Sequence, residues 1–149
     1  MNRDALDLLR TFCALDVRFL LVGAHAVSFY AEPRATGDLD LFVDPAAGNA
    51  ARVHAALAEF GAPLDDLTVE DLCAPGVVFQ MGVAPYRIDV LNQLSGVDFE
   101  EAARGAQPLQ LGDVAVLVIS RSALIKNKQA AGRLRDLLDL ELLEKHRPA

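Results

Sequence analysis

The stretch Leu21-Val22-Gly23-Ala24-His25-Ala26, followed after a turn by Arg34-Ala35-Thr36-Gly37-Asp38-Leu39-Asp40-Leu41, decides how the chain reads. Arg18 to Val22 is a short, mostly apolar run that stops at Gly23, which predicts a buried strand. Ala24 to Tyr30 then reads as a helix closed by Glu32-Pro33, because the residue before a proline is pushed out of the helical region. Asp38 to Val43 alternates polar and apolar residues and is the clearest strand pattern in the chain. Successive strand side chains point to opposite faces, so Asp38 and Asp40 share one face and Leu39 and Leu41 the other. Two adjacent carboxylates repel, and each favours its protonated form unless a cation sits between them. A hard divalent ion such as Mg²⁺ suits that oxygen-rich arrangement and keeps room for water and substrate phosphates. Asp-x-Asp by itself is equally what a half-exposed, solvated strand would carry.

The glycine and a distal acid add context. Gly23 lacks a Cβ and ends a strand just before a helix, where unpaired N–H groups and the helix dipole favour a phosphate. A simple strand-to-helix turn would use the same residue. In Tyr86-Arg87-Ile88-Asp89-Val90-Leu91, Asp89 lies between apolar neighbours on another predicted strand. If that strand adjoins the Asp38–Asp40 strand, Asp89 supplies a third carboxylate on the same face. Three carboxylates are what two-metal phosphoryl transfer requires.

Around this centre, Asp4 to Leu15 has helical spacing, Asn49 to Phe60 reads as a helix ended by Gly61, and a short helix is expected near Val69–Leu72. Val77–Met81 and Tyr86–Leu91 read as strands, and Leu109–Leu111 and Val114–Val118 flank the hairpin signal Gly112-Asp113. Ser120 can cap a final helix from about Arg121 to Lys145. The alternation predicts an α/β (α+β) fold, one mixed sheet of about five strands covered by helices, in a single domain over 1–149 with 120–145 a C-terminal helix packed on it. The 149 residues leave no room for a second full-size domain.

Lys and Arg number 14 against 21 Asp and Glu, a net charge of −7, which gives little general attraction for nucleic-acid phosphates. Half of the basic residues fall in 121–149. No apolar run approaches the roughly 18–20 residues of a membrane span, and the N-terminus does not read as a signal peptide. Cys13 and Cys73 lack metal-ligand spacing and suggest reduced thiols, so a cytoplasmic location is expected. Neither a zinc spacing, nor a Gly-rich dinucleotide or Walker-type phosphate motif, nor a recognisable Ser–His–Asp context is present.

The order strand, Gly23, helix, turn, Asp38-x-Asp40, distal Asp89 resembles the minimal nucleotidyltransferases of the DNA polymerase β-like superfamily. More closely, with Arg34-x-Thr36-x-Asp38-x-Asp40, it resembles the bacterial nucleotidyltransferase-like proteins grouped with the AbiEii-type toxins. Lys126, Lys128, Arg133 and Asp136 are similar to a Lys…Arg-x-x-Asp pattern of that group. The resemblance implies that Asp38, Asp40 and Asp89 are metal ligands and catalytic residues for two Mg²⁺ ions, with Asp89 also the base toward an acceptor hydroxyl. It implies an NTP donor such as ATP, a nucleoside monophosphate moved to tRNA, protein or a small molecule, and pyrophosphate released. Nucleotide-binding candidates are Gly23, Ala24, His25, Arg34, Thr36, Lys126 and Lys128. For His25 the competing role is helix packing, for Arg34 a surface ion pair, and for Thr36 support of the turn. For Lys126 and Lys128 it is pairing with Asp136 or Asp139. One departure stands out: Ala24 occupies a position where active relatives carry Ser or a second Gly, so a hydroxyl donor to phosphate is missing. The alternative is therefore a catalytically lapsed nucleotide- or partner-binding module, such as a toxin–antitoxin component; for the enzyme, the resemblance also implies a partner protein or a homodimer that completes the site.

Overall fold

The computed structural model describes residues 1–33, 36–83 and 85–148. Their elements run α1 (Arg3–Ala14), β1 (Phe19–Val22), α2 (Gly23–Tyr30), β2 (Leu39–Val43), α3 (Ala47–Phe60), α4 (Val69–Cys73), β3 (Val78–Met81) and β4 (Ile88–Leu91). They continue through α5 (Phe99–Ala103), β5 (Gln107–Leu111), β6 (Val114–Val118), α6 (Arg121–Ala131) and α7 (Leu134–Lys145). The six strands form one mixed sheet in the order β3-β4-β2-β1-β6-β5. All six segments read as strands take part, against the round figure of about five.

At the centre, β1 runs antiparallel to β2, with Leu21 opposite Leu41 and Val22 opposite Asp40. On its other side β1 pairs in parallel with β6 at Leu21 and Val118. Both central strands are nearly continuous apolar runs, as strands covered on both faces must be. Helix α1 covers one face, where Phe12 meets Phe19 edge-on at 5.2 Å. On the opposite face, which also carries Asp40, Phe42 meets Phe99 of α5 at 5.2 Å.

Local chemistry explains the element ends. Asn2 caps α1 through its side chain, Thr68 and Asp71 form a reciprocal capping box on α4, and Asp98 caps α5. The buried Asn49 joins β1 to the end of β2 by accepting from Arg18 N–H and donating to the Arg18 and Asp44 carbonyls.

The long final helix expected over 121–145 is two helices. Gly132 takes a left-handed conformation (φ 64°) as the C-cap of α6, and Arg133 starts α7. Glycine alone adopts that conformation cheaply, so the chain breaks there.

Candidate active site

Register on the sheet brings the three acids together. In the parallel β2–β4 pair Asp40 stands opposite Asp89, and Asp38 lies two residues before Asp40 on the same face. They line a cleft of about 700 Å³ with Val22, Gly23, Ala24 and Thr36. The opposite wall is the junction of α6 and α7, which contributes Lys128, Arg133, Arg135 and Asp139.

Gly23 is required here twice over. Its φ is +67°, and a Cβ built on it would collide with Oδ2 of Asp40. The helix start and the Asp40 carboxylate therefore face each other across a gap that only glycine leaves open. Burial, then the Asp89 and Asp38 charges and a hydrogen bond to Asp89, raise the Asp40 pKa to about 6, with Arg87 pulling the other way. Asp40 is thus a group of raised proton affinity on this face.

Arg87, whose role the sequence left open, sits among the acids. Its backbone N–H donates to Asp38 Oδ1 at 3.1 Å, and its Nη2 is 3.9 Å from Asp38 Oδ2. Its Nε is 3.2 Å from Asp89 Oδ1, yet both of these buried atoms lack a hydrogen bond. The rule that joined Asp38 to Asp40 also places Arg87 on the face of Asp89, two residues away.

The helix wall is fully bonded by comparison. Lys128, 9% exposed, lies 3.2 Å from Asp136 Oδ1 and 3.1 Å from Asp139 Oδ2. Arg133 donates to Asp136 Oδ2 from Nε at 2.7 Å and from its backbone N–H at 3.1 Å. Burial opposes ionisation of Asp136, but the hydrogen bonds from Arg133 and Lys128 bring its pKa down to about 2. The Arg133 pKa is raised by Asp136 above all and also by Asp40, so its charge is felt across the cleft.

The remaining candidates divide. Thr36 and Lys128 line the cleft, and Lys128 also makes both of the pairings that were its alternative. Lys126 points elsewhere and pairs with Glu101 at 2.7 Å. Lys126 and Lys128 both lie on α6, but two positions apart they face different ways, Lys126 toward α5 and Lys128 into the cleft. His25 is not in the cleft lining; burial, then the amino-terminal charge, lower its pKa. Tyr30 packs edge-on to Phe29 and donates to the Ile119 carbonyl at 2.8 Å. Arg34 lies outside the described residues.

Among the described residues no group of three or more His, Cys, Asp or Glu is already gathered as a metal cage. The carboxylates are nonetheless the kind of donor that a hard divalent ion takes. They present oxygen donors on one sheet face, where burial first and then the neighbouring Asp89 and Asp38 charges raise the Asp40 pKa. No described helix is long and apolar enough to cross a membrane.

Two solved structures resemble this one over nearly their whole length. The lincosamide antibiotic adenylyltransferase LnuA, bound to lincomycin, superposes with a TM-score of 0.60 at 14% identity, covering 99% of this chain and 98% of that one. A candidate nucleotidyltransferase from Thermotoga maritima superposes with a TM-score of 0.59 at 12% identity, covering 96% and 89%. Neither a protein-family model nor a curated protein matches the sequence. The chain thus has a nucleotidyltransferase fold.

Proposed function

We propose that the chain is a nucleotidyltransferase that takes a nucleoside monophosphate from an NTP such as ATP and places it on an acceptor hydroxyl. The observation that carries this reading is the convergence of Asp38, Asp40 and Asp89 on one sheet face beside the Gly23 turn. The first N–H groups of α2, including that of Ala24, have no partner within the helix and are available to triphosphate oxygens. Lys128 and Arg133 add positive charge from the facing wall. Asp38, Asp40 and Asp89 would hold two Mg²⁺ ions, which when bound neutralise the triphosphate and activate the attacking oxygen. The acceptor oxygen forms a bond to the α-phosphorus, the bond to the β-phosphate oxygen breaks, and pyrophosphate leaves. The hydroxyl proton passes to the Asp89–Asp40 pair.

Of the three acceptor classes, tRNA, protein and small molecule, the last is favoured. The net charge of −7 disfavours a polyanion, and the full-length superposition on a lincosamide adenylyltransferase supports a small hydroxylated acceptor. The finer likeness to AbiEii-type proteins, a cytoplasmic location, and work as a homodimer or with a partner protein belong to the same proposal.

Calorimetry with each of the four NTPs tests it. Metal-dependent binding of at least one NTP, abolished in Asp38→Asn/Asp40→Asn, is the expected result. Asp40→Asn alone should cut transfer by about a thousandfold. A folded protein that binds no NTP would overturn the reading. Ala24 favours a second one, a lapsed module that binds nucleotide or a toxin–antitoxin partner. Its signature is NTP binding without pyrophosphate release in the presence of tRNA, protein or lincosamide acceptors.

A further inference from the structure

The guanidinium of Arg87 stands where the transferase reading needs divalent cations, and its contacts there are poor. It is 3.9 Å from Asp38 Oδ2 and 3.2 Å from Asp89 Oδ1, and the latter approach yields no hydrogen bond on either side. Arg133, with a 2.7 Å hydrogen bond from Nε to Asp136, shows what an aligned pair looks like in the same protein. The Arg87 side chain is 40% exposed, so it can swing out without opening the core. Its backbone hydrogen bond to Asp38 Oδ1 is independent of the guanidinium and survives that motion. On the transferase reading Asp38 and Asp89 are among the carboxylates that would hold a divalent ion, and a guanidinium and a metal ion beside the same carboxylates repel.

We propose that Arg87 is an internal counter-ion that competes with the divalent cation for Asp38 and Asp89, so that metal alone binds weakly and enters together with the triphosphate, whose oxygens receive the displaced guanidinium. This rests on the transferase reading above. It makes Arg87 a residue with two opposed effects, against free metal and for metal–nucleotide. Arginine suits the second task because its fork matches phosphate oxygens in pairs.

Mn²⁺ binding to the whole protein, followed by electron paramagnetic resonance without nucleotide, tests the first effect. Arg87→Gln should tighten Mn²⁺ binding about tenfold, the partial exposure of the pair limiting the gain. Arg87→Lys, which keeps the charge, should stay within about threefold of the unaltered protein. Arg87→Gln should also weaken the binding of the Mg²⁺ complex of the preferred NTP. Unchanged or weaker Mn²⁺ binding in Arg87→Gln overturns the inference, as does equal tightening in the Lys variant. Asp40→Asn separates this failure from failure of the transferase reading. If Asp40→Asn loses Mn²⁺ while Arg87→Gln does not gain it, only the counter-ion role falls. If Mn²⁺ fails to bind even in Arg87→Gln, the counter-ion role falls, and if the Mg²⁺ complex of every NTP fails to bind as well, the transferase reading falls with it.

Discussion

The cleft has two charged walls made from the same residue types in opposite physical states. On the helix wall, Lys128, Arg133, Asp136 and Asp139 are interlocked at 2.7–3.2 Å, and Asp136 is fully buried with its pKa near 2. On the sheet wall, Asp38, Asp40 and Asp89 share one loosely placed guanidinium, and the Asp40 pKa stands near 6. Burial penalises both carboxyls, so hydrogen bonding to cations makes the difference. One wall has its charges matched by the chain itself. The other, among the described residues, sets three carboxylates against the single guanidinium of Arg87 at its own wall.

The largest effect should come from unmatching the matched wall. Asp136→Asn leaves Lys128 buried with one carboxylate fewer, and removing one partner of a buried pair costs about 3–5 kcal/mol. Urea unfolding reads the loss directly. A change below about 1 kcal/mol would place this network with ordinary surface pairs and erase the contrast between the walls.

Next comes the pH response of the unmatched wall. The folded-state pKa of Asp40 is raised from 3.8 to about 6, so between those values the native state holds more protons than the unfolded chain. Stability should therefore fall as pH rises from about 4 to about 6, by up to about 3 kcal/mol, and this contribution then levels off. Asp136 has the opposite sign: its contribution is present above its ordinary pKa of 3.8 and is lost as pH falls toward 2. Unfolding curves at pH 4 and pH 7 in metal-free buffer, with and without Asp40→Asn, isolate the Asp40 part. The variant should be the more stable protein at pH 7, and equal pH slopes would refute the assignment.

The smallest expected effect sharpens the comparison at the nucleotide's end of the cleft. Ala24→Ser restores a hydroxyl at the head of α2, and one added hydrogen bond to a charged phosphate should tighten NTP binding about five- to tenfold. Calorimetry showing no change would mean that the backbone N–H groups already satisfy the phosphate.

The sheet wall was legible in the sequence and the helix wall was not, for a physical reason. Asp38, Asp40 and Asp89 lie on strands whose period of two fixes the face, so pattern alone predicted their meeting once β2 and β4 paired. The helix wall depends on a break. Residues 121–145 keep good helix formers on both sides of Gly132, so one continuous helix was expected where the chain turns and brings Arg133 and Asp136 back against Lys128. Gly132 itself was the available signal. Helix α5 escaped notice because five residues are too few to show a period, although Asp98 with Glu100 and Glu101 is a capped helix start. Arg87 could have been found by the alternation that found Asp40.

The parallel pairing of β1 with β6 sets a kinetic order on the construction of the cleft. Joining Asp40 to Asp89 closes a loop of about fifty residues, whereas bringing Leu21 to Val118 closes one of nearly a hundred, and no hairpin can make a parallel contact. The entropy of those closures is lost before their contacts form, which makes such topologies slow to fold. The carboxylates can thus assemble from one contiguous third of the chain, whereas the cations of α6 and α7 must be brought to them from its far end. Among the described residues lining the cleft, Arg87, next to β4 in the chain, is the cation that travels with the acids.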